Sequence, residues 1–232
     1  MIAWPPSLKP FNGGFAPSVR SLSGGQSLSG FEQVQPQLHD RWAASFAFYM
    51  RNPASVTTMR AFLSQLRGRA NSVALPAFDT SSKPWEIDPV TGLPNNLARA
   101  RKRKLDNTVF ADAPGLVDAL IIAELASNVA LNATAAQIHV TKGGAPVAGQ
   151  RFSLANRLYS IDDVTVIGGG VYGVTFWPWA REVVAVNAPV NFTSPRCEMR
   201  LADDAEGQDA MKAMALGRSG QVSLNFDEVA VA

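Results

Sequence analysis

One cysteine, Cys197, and two histidines, His39 and His139, are all this chain has of the residues that build disulfides and zinc clusters. A single thiol excludes an internal disulfide, and one thiol with two imidazoles is too few for a structural zinc site, so no metal and no cofactor are expected. No stretch approaches the roughly 18 apolar residues of a membrane-spanning helix, and no membrane anchor is expected. The opening "MIAWPPSLKPFNGG" lacks a basic start followed by an apolar run, so no secretory signal is expected and synthesis in a cytoplasm follows. Charge is scarce too: 17% of the 232 residues are charged against 47% hydrophobic. A surface that poor in charge points to one covered by partners.

Catalytic signatures are also missing. "IGGGVYG" is the one glycine run that suggests a phosphate cradle, but it lacks the Lys-Ser/Thr of a P-loop and is followed by a strand where a helix should start; a hairpin turn is expected. His39 beside Asp40, and His139 in mid-strand, have no nucleophile motif for company and read as ordinary hydrogen-bonded histidines. Asp162, Asp163, Asp203 and Asp204 occur as adjacent pairs, the usual composition of turns. Cys197 reads as a small core residue or an inert thiol. The expectation is a protein without enzymatic activity.

What is present is β grammar with Gly and Pro punctuation, 18 and 15 residues respectively. "SLSGGQSLSG" suits a hairpin or bulge, and "RWAASFAFYM" and "NSVALPAFD" read as strands. The clearest helix is "NPASVTTMRAFLSQLRGR": Asn52 as cap, Pro53 in the first turn, Gly68 past the end, and Val56, Met59, Phe62, Leu63 and Leu66 on one stripe. "PGLVDALIIAELASN" is ambiguous between a helix carrying Leu116, Leu120 and Leu125 and a buried strand. "AAQIHVTKGGAPVAGQRFSL" reads as a hairpin, as does the pair of runs around Gly168–Gly170; "CEMRLADD", a short helix in "GQDAMKAMALG" and a strand in "GQVSLNFDEVAV" follow. The fold expected is mainly β with one or two helices (α+β): a β-barrel or sandwich packed by an amphipathic helix at about 53–67, with a long inserted loop. One domain over 1–232 is expected, as a front half 1–78, a loop insertion 79–108 and a back half 109–232.

Two stretches stand out as interaction candidates. "ARARKRK" gathers Arg99, Arg101, Lys102, Arg103 and Lys104, without which the chain would be net acidic rather than +2. A basic patch confined to one loop, with Trp85 the only ring nearby, is a poor nucleic-acid footprint. Contact with a neighbouring subunit is favoured over a merely solvated loop, and nucleic acid is the weakest of the three readings. "FWPWAREV" sets Trp177 and Trp179 around Pro178 with Arg181 close by, a composition that suits either a core or a protein interface.

"RWAASFAFYMRNPASVTTMRAFLSQLRGRANSVALPAFD" resembles the front half of distal-tail and tail-tip structural proteins of long flexible-tailed phages and gene transfer agents, in its strand with Trp, its helix over a sheet, its "L-x-G-R" exit and the strand after it. "GQRFSLANRLYSIDDV" and the run from Val174 to Asp204 resemble their back half, through Gly149 and Phe152 before "LYSI", the aromatic-Pro-x-x-Arg end at Trp177 to Arg181, and Pro195 to Leu201. The resemblance covers about two thirds of the chain and rests on packing and turn patterns. It implies a ring-forming virion component at the tail tip, assembled in the bacterial cytoplasm, with itself as partner in a hexamer rather than a trimer. Tail tube protein and hub or fibre proteins would be its neighbours. The 79–107 loop and "VDALIIAELA" fall outside the resemblance. A carbohydrate- or receptor-binding module using the "FWPW" rings as a sugar platform is the alternative. A cell-wall hydrolase would need a convergent set of acids or a His/Cys/Asp group in one pocket.

Overall fold

The stripe read from Val56 to Leu66 is a helix, α1 (Pro53–Leu66), and all five of its apolar residues are buried. Asn52 stays extended ahead of it and its side chain accepts from the Ser55 N–H at 2.7 Å, while the Asn52 N–H donates to Ser55 Oγ at 3.4 Å, a reciprocal cap. Arg67 and Gly68 both take positive φ, 51° and 64°, and end it. The computed structural model describes residues 1–18, 21–26, 29–36, 40–50, 52–78, 121–214 and 220–229. The loop expected over 79–107, Leu116, Leu120 and His39 lie outside the described residues. Within them the fold is mainly β with two helices, in the class expected.

The chain forms two compact units: residues 1–78 with 196–232, and residues 79–195. The first holds a six-stranded sheet of β1 (Ile2–Ala3), β2 (Asn12–Ser18), β5 (Arg41–Met50), β6 (Val73–Pro76), β13 (Arg196–Leu201) and β14 (Gly220–Glu228), ordered β1-β6-β13-β14-β5-β2. A separate hairpin joins β3 (Ser21–Gln26) to β4 (Glu32–Pro36), with a register shift between Ser23 and Gln26. Alternation in β5 turns Trp42, Ala44, Phe46, Phe48 and Met50 inward, and β14 opposes it with Val222, Leu224 and Phe226. Trp4 ties this core to α1: its ring lies 5.6 Å from Phe48, 5.0 Å from Phe62 and 6.4 Å from Phe226, and its indole N–H donates to Leu8 O at 2.9 Å. The buried Glu228 accepts from the Trp42 N–H at 2.9 Å, so the carboxylate is held by backbone.

Asp203 and Asp204, read as turn formers, are capping residues. Asp203 caps the second helix, α2 (Asp204–Ala213), by accepting from the Ala205 N–H at 3.2 Å, and Asp204 accepts from the Arg69 N–H at 2.8 Å just past α1. Cys197 is a fully buried core residue on β13.

The second unit is a six-stranded antiparallel sheet of β7 (Ile122–Leu125), β8 (Ala135–Lys142), β9 (Arg151–Leu154), β10 (Arg157–Gly168), β11 (Val171–Trp177) and β12 (Pro189–Val190), ordered β12-β7-β8-β11-β10-β9. Asn191, beside β12, exchanges two backbone hydrogen bonds with Ser153 of β9, both 3.0 Å, and so draws the two edges together into a barrel-like wall. Phe152 is the hub of its core, 5.4 Å from Tyr159, 5.7 Å from Phe176 and 5.6 Å from Phe192, centroid to centroid. Each such pair contributes about 0.5–1.5 kcal/mol beyond the area it buries.

The expected glycine turn is present: Gly168, Gly169 and Gly170 join β10 to β11 at φ 117°, 61° and 79°. The hairpin expected across 135–154 is not. β8 pairs with β7 and β11, and β9 pairs with β10 through Ala155 and Asn156, both at positive φ (46° and 69°), as a two-residue hairpin turn requires. Of "VDALIIAELA", Ile122–Leu125 is strand β7.

Gly13 on β2 has φ +115°, and a Cβ there would sit 2.0 Å from Ser45 O, whereas nothing lies within 4 Å of one on Gly14. Thermal or denaturant unfolding should find Gly13→Ala destabilised by more than about 1 kcal/mol and Gly14→Ala near neutral; equal effects would contradict this backbone approach.

Candidate functional site

β11 carries the "FWPW" rings to a corner of the second unit and separates their roles. Phe176 points into the barrel core and is 1% exposed. Trp177 ends the strand opposite Ser160, the Trp177–Pro178 peptide is cis, and both tryptophans are half-buried. Arg181 is buried, with its guanidinium carbon 4.2 Å from the Trp179 ring centroid. One face of Trp179 is therefore covered by the cation, and its indole N–H is buried without an acceptor among the described residues. This corner presents a cation–π pair, with both tryptophans half-buried.

The segment after Pro178 is stitched to the one before β8. Ala180 donates to Ala133 O at 2.8 Å, Asn132 donates to Ala180 O at 2.8 Å, and Val129 and Val184 exchange both bonds of a β-bridge, at 2.8 and 2.9 Å. That pairing turns Val129 and Val184 inward and leaves Leu131, Val183 and Val186 on the outside, Val183 72% exposed. The Val186 N–H is fixed by Asn128 Oδ1 at 2.8 Å, so the exposed valines sit on a held loop. Sequence reading missed these residues because "EVVAVNAPV" gives no sign of which valines face inward; the β-bridge decides it.

Near the seam where Ser153 meets Asn191 lies a groove of about 700 Å³, walled by Ile121, Ala123 and Val190 and rimmed by Ser153, Asn156 and Asn191. The other candidates fall elsewhere. His139 Nδ1 lies 3.2 Å from Glu124 Oε1, directly across the β7–β8 ladder and half-exposed, a cross-strand pair. Asp162 and Asp163 lie on the exposed part of β10, and desolvation by burial raises the Asp162 carboxyl above its ordinary value. Among the described residues no three His, Cys, Asp or Glu side chains group as metal ligands would. Arg99, Arg101, Lys102, Arg103, Lys104 and Trp85 lie outside the described residues.

No protein-family model matches the chain, and a search of curated proteins returns no match. What the Trp179–Arg181 corner can do is read from its own chemistry: a desolvated cation on an indole, bordered by exposed aliphatic side chains, suits contact with another protein.

Replacing Arg181 by Ala uncovers Trp179 and removes the packed stem of the arginine. Unfolding should show a loss of about 2 kcal/mol, together with a red-shifted tryptophan emission; an unchanged melting curve and spectrum would mean that the pair contributes nothing.

Proposed function

We propose that this chain is a non-enzymatic structural component of a phage-like tail tip, a ring-forming adaptor that joins the tail tube to the hub or receptor-binding apparatus. The observation that carries the reading is the exposure of Leu131, Val183 and Val186 on the two bridged segments that flank the Trp179–Arg181 pair. A protein with few charges gains little from leaving such side chains in water; covering them with a neighbouring subunit recovers about 25 cal/mol per Å² of apolar surface. The resemblance of the 41–79 and 149–204 stretches supplies the setting, and the mainly β architecture with α1 agrees with what it implies. The proposed partners are further copies of the chain, six in preference to three, with tail tube protein on one side and hub or fibre proteins on the other. In this reading Arg99, Arg101, Lys102, Arg103 and Lys104 set the register between neighbours, and nucleic acid is not a partner.

Light scattering of the purified chain tests this. A discrete assembly of six times the 24.8 kDa chain mass is expected. Val183→Asp with Val186→Asp, both at exposed positions, should weaken association at least tenfold, about 1.4 kcal/mol, without lowering the melting temperature. A monomer at every concentration, or DNA binding with a steep salt slope, would overturn the reading.

A further inference from the structure

The barrel wall is only as tall as β9, and β10 runs on past it. β9 pairs with Arg157 to Ser160, and Ile161 is still bonded to Gln150 and Gly149. Beyond Ile161 the strand's ladder partners, at Asp163 to Val166 and at Gly168, are all on β11, and no described strand takes its other side. Its exposed residues include Val166 at 73% and Ile167 at 54%, and from Leu158 to Ala180 the sequence has no Lys or Arg. An open edge of that composition offers a row of backbone donors and acceptors to any extended chain, and proteins ordinarily protect such edges with brevity, charge, proline or bulges.

Other open edges of this protein are protected in that way. β1 has two residues, β2 carries Gly13, Gly14 and Pro17, and β4 ends on Pro36. The β10 edge has neither proline nor lysine; bulges at 161/163 and 166/168 blunt its two ends and leave Asp163 to Val166 as a regular ladder between them. Its charge pattern fits a copy of itself. In a two-fold antiparallel register the only centring that pairs all seven residues from Asp162 to Gly168 is on Thr165. That centring sets Val164 against Val166, Asp163 against Ile167 and Asp162 against Gly168, so no carboxylate faces another and β-branched side chains meet across the middle. A register centred on Asp163 would place that carboxylate against its own copy.

We propose that the outer edge of Asp162–Gly168 pairs with the same edge of a second copy of this chain, antiparallel and centred on Thr165, so that the sheet of β8, β11 and β10 runs on from one molecule into the other. The contact is two-fold and so differs from the repeated head-to-tail contact of a ring; it requires only a second copy and does not depend on the tail reading. A seven-residue edge is small beside the roughly 1,600 Å² of a standard stable interface, so the pair exchanges rapidly unless another contact already holds the copies together.

Disulfide trapping in the full chain tests it, because the one native thiol, Cys197, is fully buried. Under oxidised glutathione Thr165→Cys should give a covalent dimer on a non-reducing gel. Asp162→Cys, whose two copies would lie roughly 20 Å apart in this register, should give at least tenfold less. Adding Val166→Lys, an exposed change whose fold is checked by circular dichroism, should cut the Thr165→Cys dimer at least tenfold. No Thr165→Cys dimer, equal trapping at both positions, or trapping indifferent to Val166→Lys would each overturn the proposal. A ring-sized mass in light scattering alongside any of those results would leave the tail reading standing and the edge pairing refuted.

Discussion

Two hydrogen bonds between Ser153 and Asn191 decide the shape of the second unit. Without them the sheet ordered β12-β7-β8-β11-β10-β9 would be an open one with an edge at each side; with them both edges are used up. The residues on either side reinforce the join, since Phe152 and Phe192 face inward with centroids 5.6 Å apart, so backbone closure and core packing form at the same place. Tyr159 enters that core directly opposite Phe152 in the β9–β10 ladder, and Phe176 of β11 packs edge-on against both rings. The join also sets its own limit: it involves a four-residue strand, so β10 beyond Ile161 is bonded to β11 on one side and to no described strand on the other.

The first unit solves the same problem by cover rather than closure. Its sheet keeps two edges, and its core is sealed by α1 and by the short N-terminal segment that inserts Trp4 among Phe48, Phe62, Phe78 and Phe226. Tight approach takes the place of side chains at Gly13, where β2 lies against the backbone of Ser45 and Phe46. Asp204 serves both the start of α2 and the chain just past α1, which makes a single carboxylate the link between the two helix ends.

Local signals were legible wherever the determinant is local. Asn52, Pro53, Gly68 and the stripe between them specify α1 nearly to the residue, the alternation from Arg41 to Met50 specifies β5, and Gly168 to Gly170 specify a turn. Partner choice was not legible. β8 and β9 follow one another with glycines between, yet they belong to different ladders, because the turn that makes a hairpin is Ala155–Asn156, a dipeptide without the usual glycine. The same holds for the candidate surface. Trp177, Trp179 and Arg181 could be picked out by composition, but not that Arg181 lies on Trp179; that Val183 faces outward while Val184 is buried follows from a bridge to Val129 some 55 residues earlier. The role of Arg99 to Lys104 is a matter of sequence alone.

The first unit is made of two stretches of chain with the second unit between them, and its middle strand, β14, is the last to be written. On a ribosome, β5 emerges about 180 residues ahead of the partner whose residues 220–227 it must bond, and β6 waits about as long for β13 to be completed as the whole intervening unit takes to make. The barrel, encoded without interruption, has every one of its strands available first. For the span of that delay the apolar side of β5, with Trp42, Phe46 and Phe48, has α1, the N-terminal segment, Phe15 and Phe78 to shelter it, which gives the early, well-capped helix a second use as part of a temporary lid over a half-built sheet.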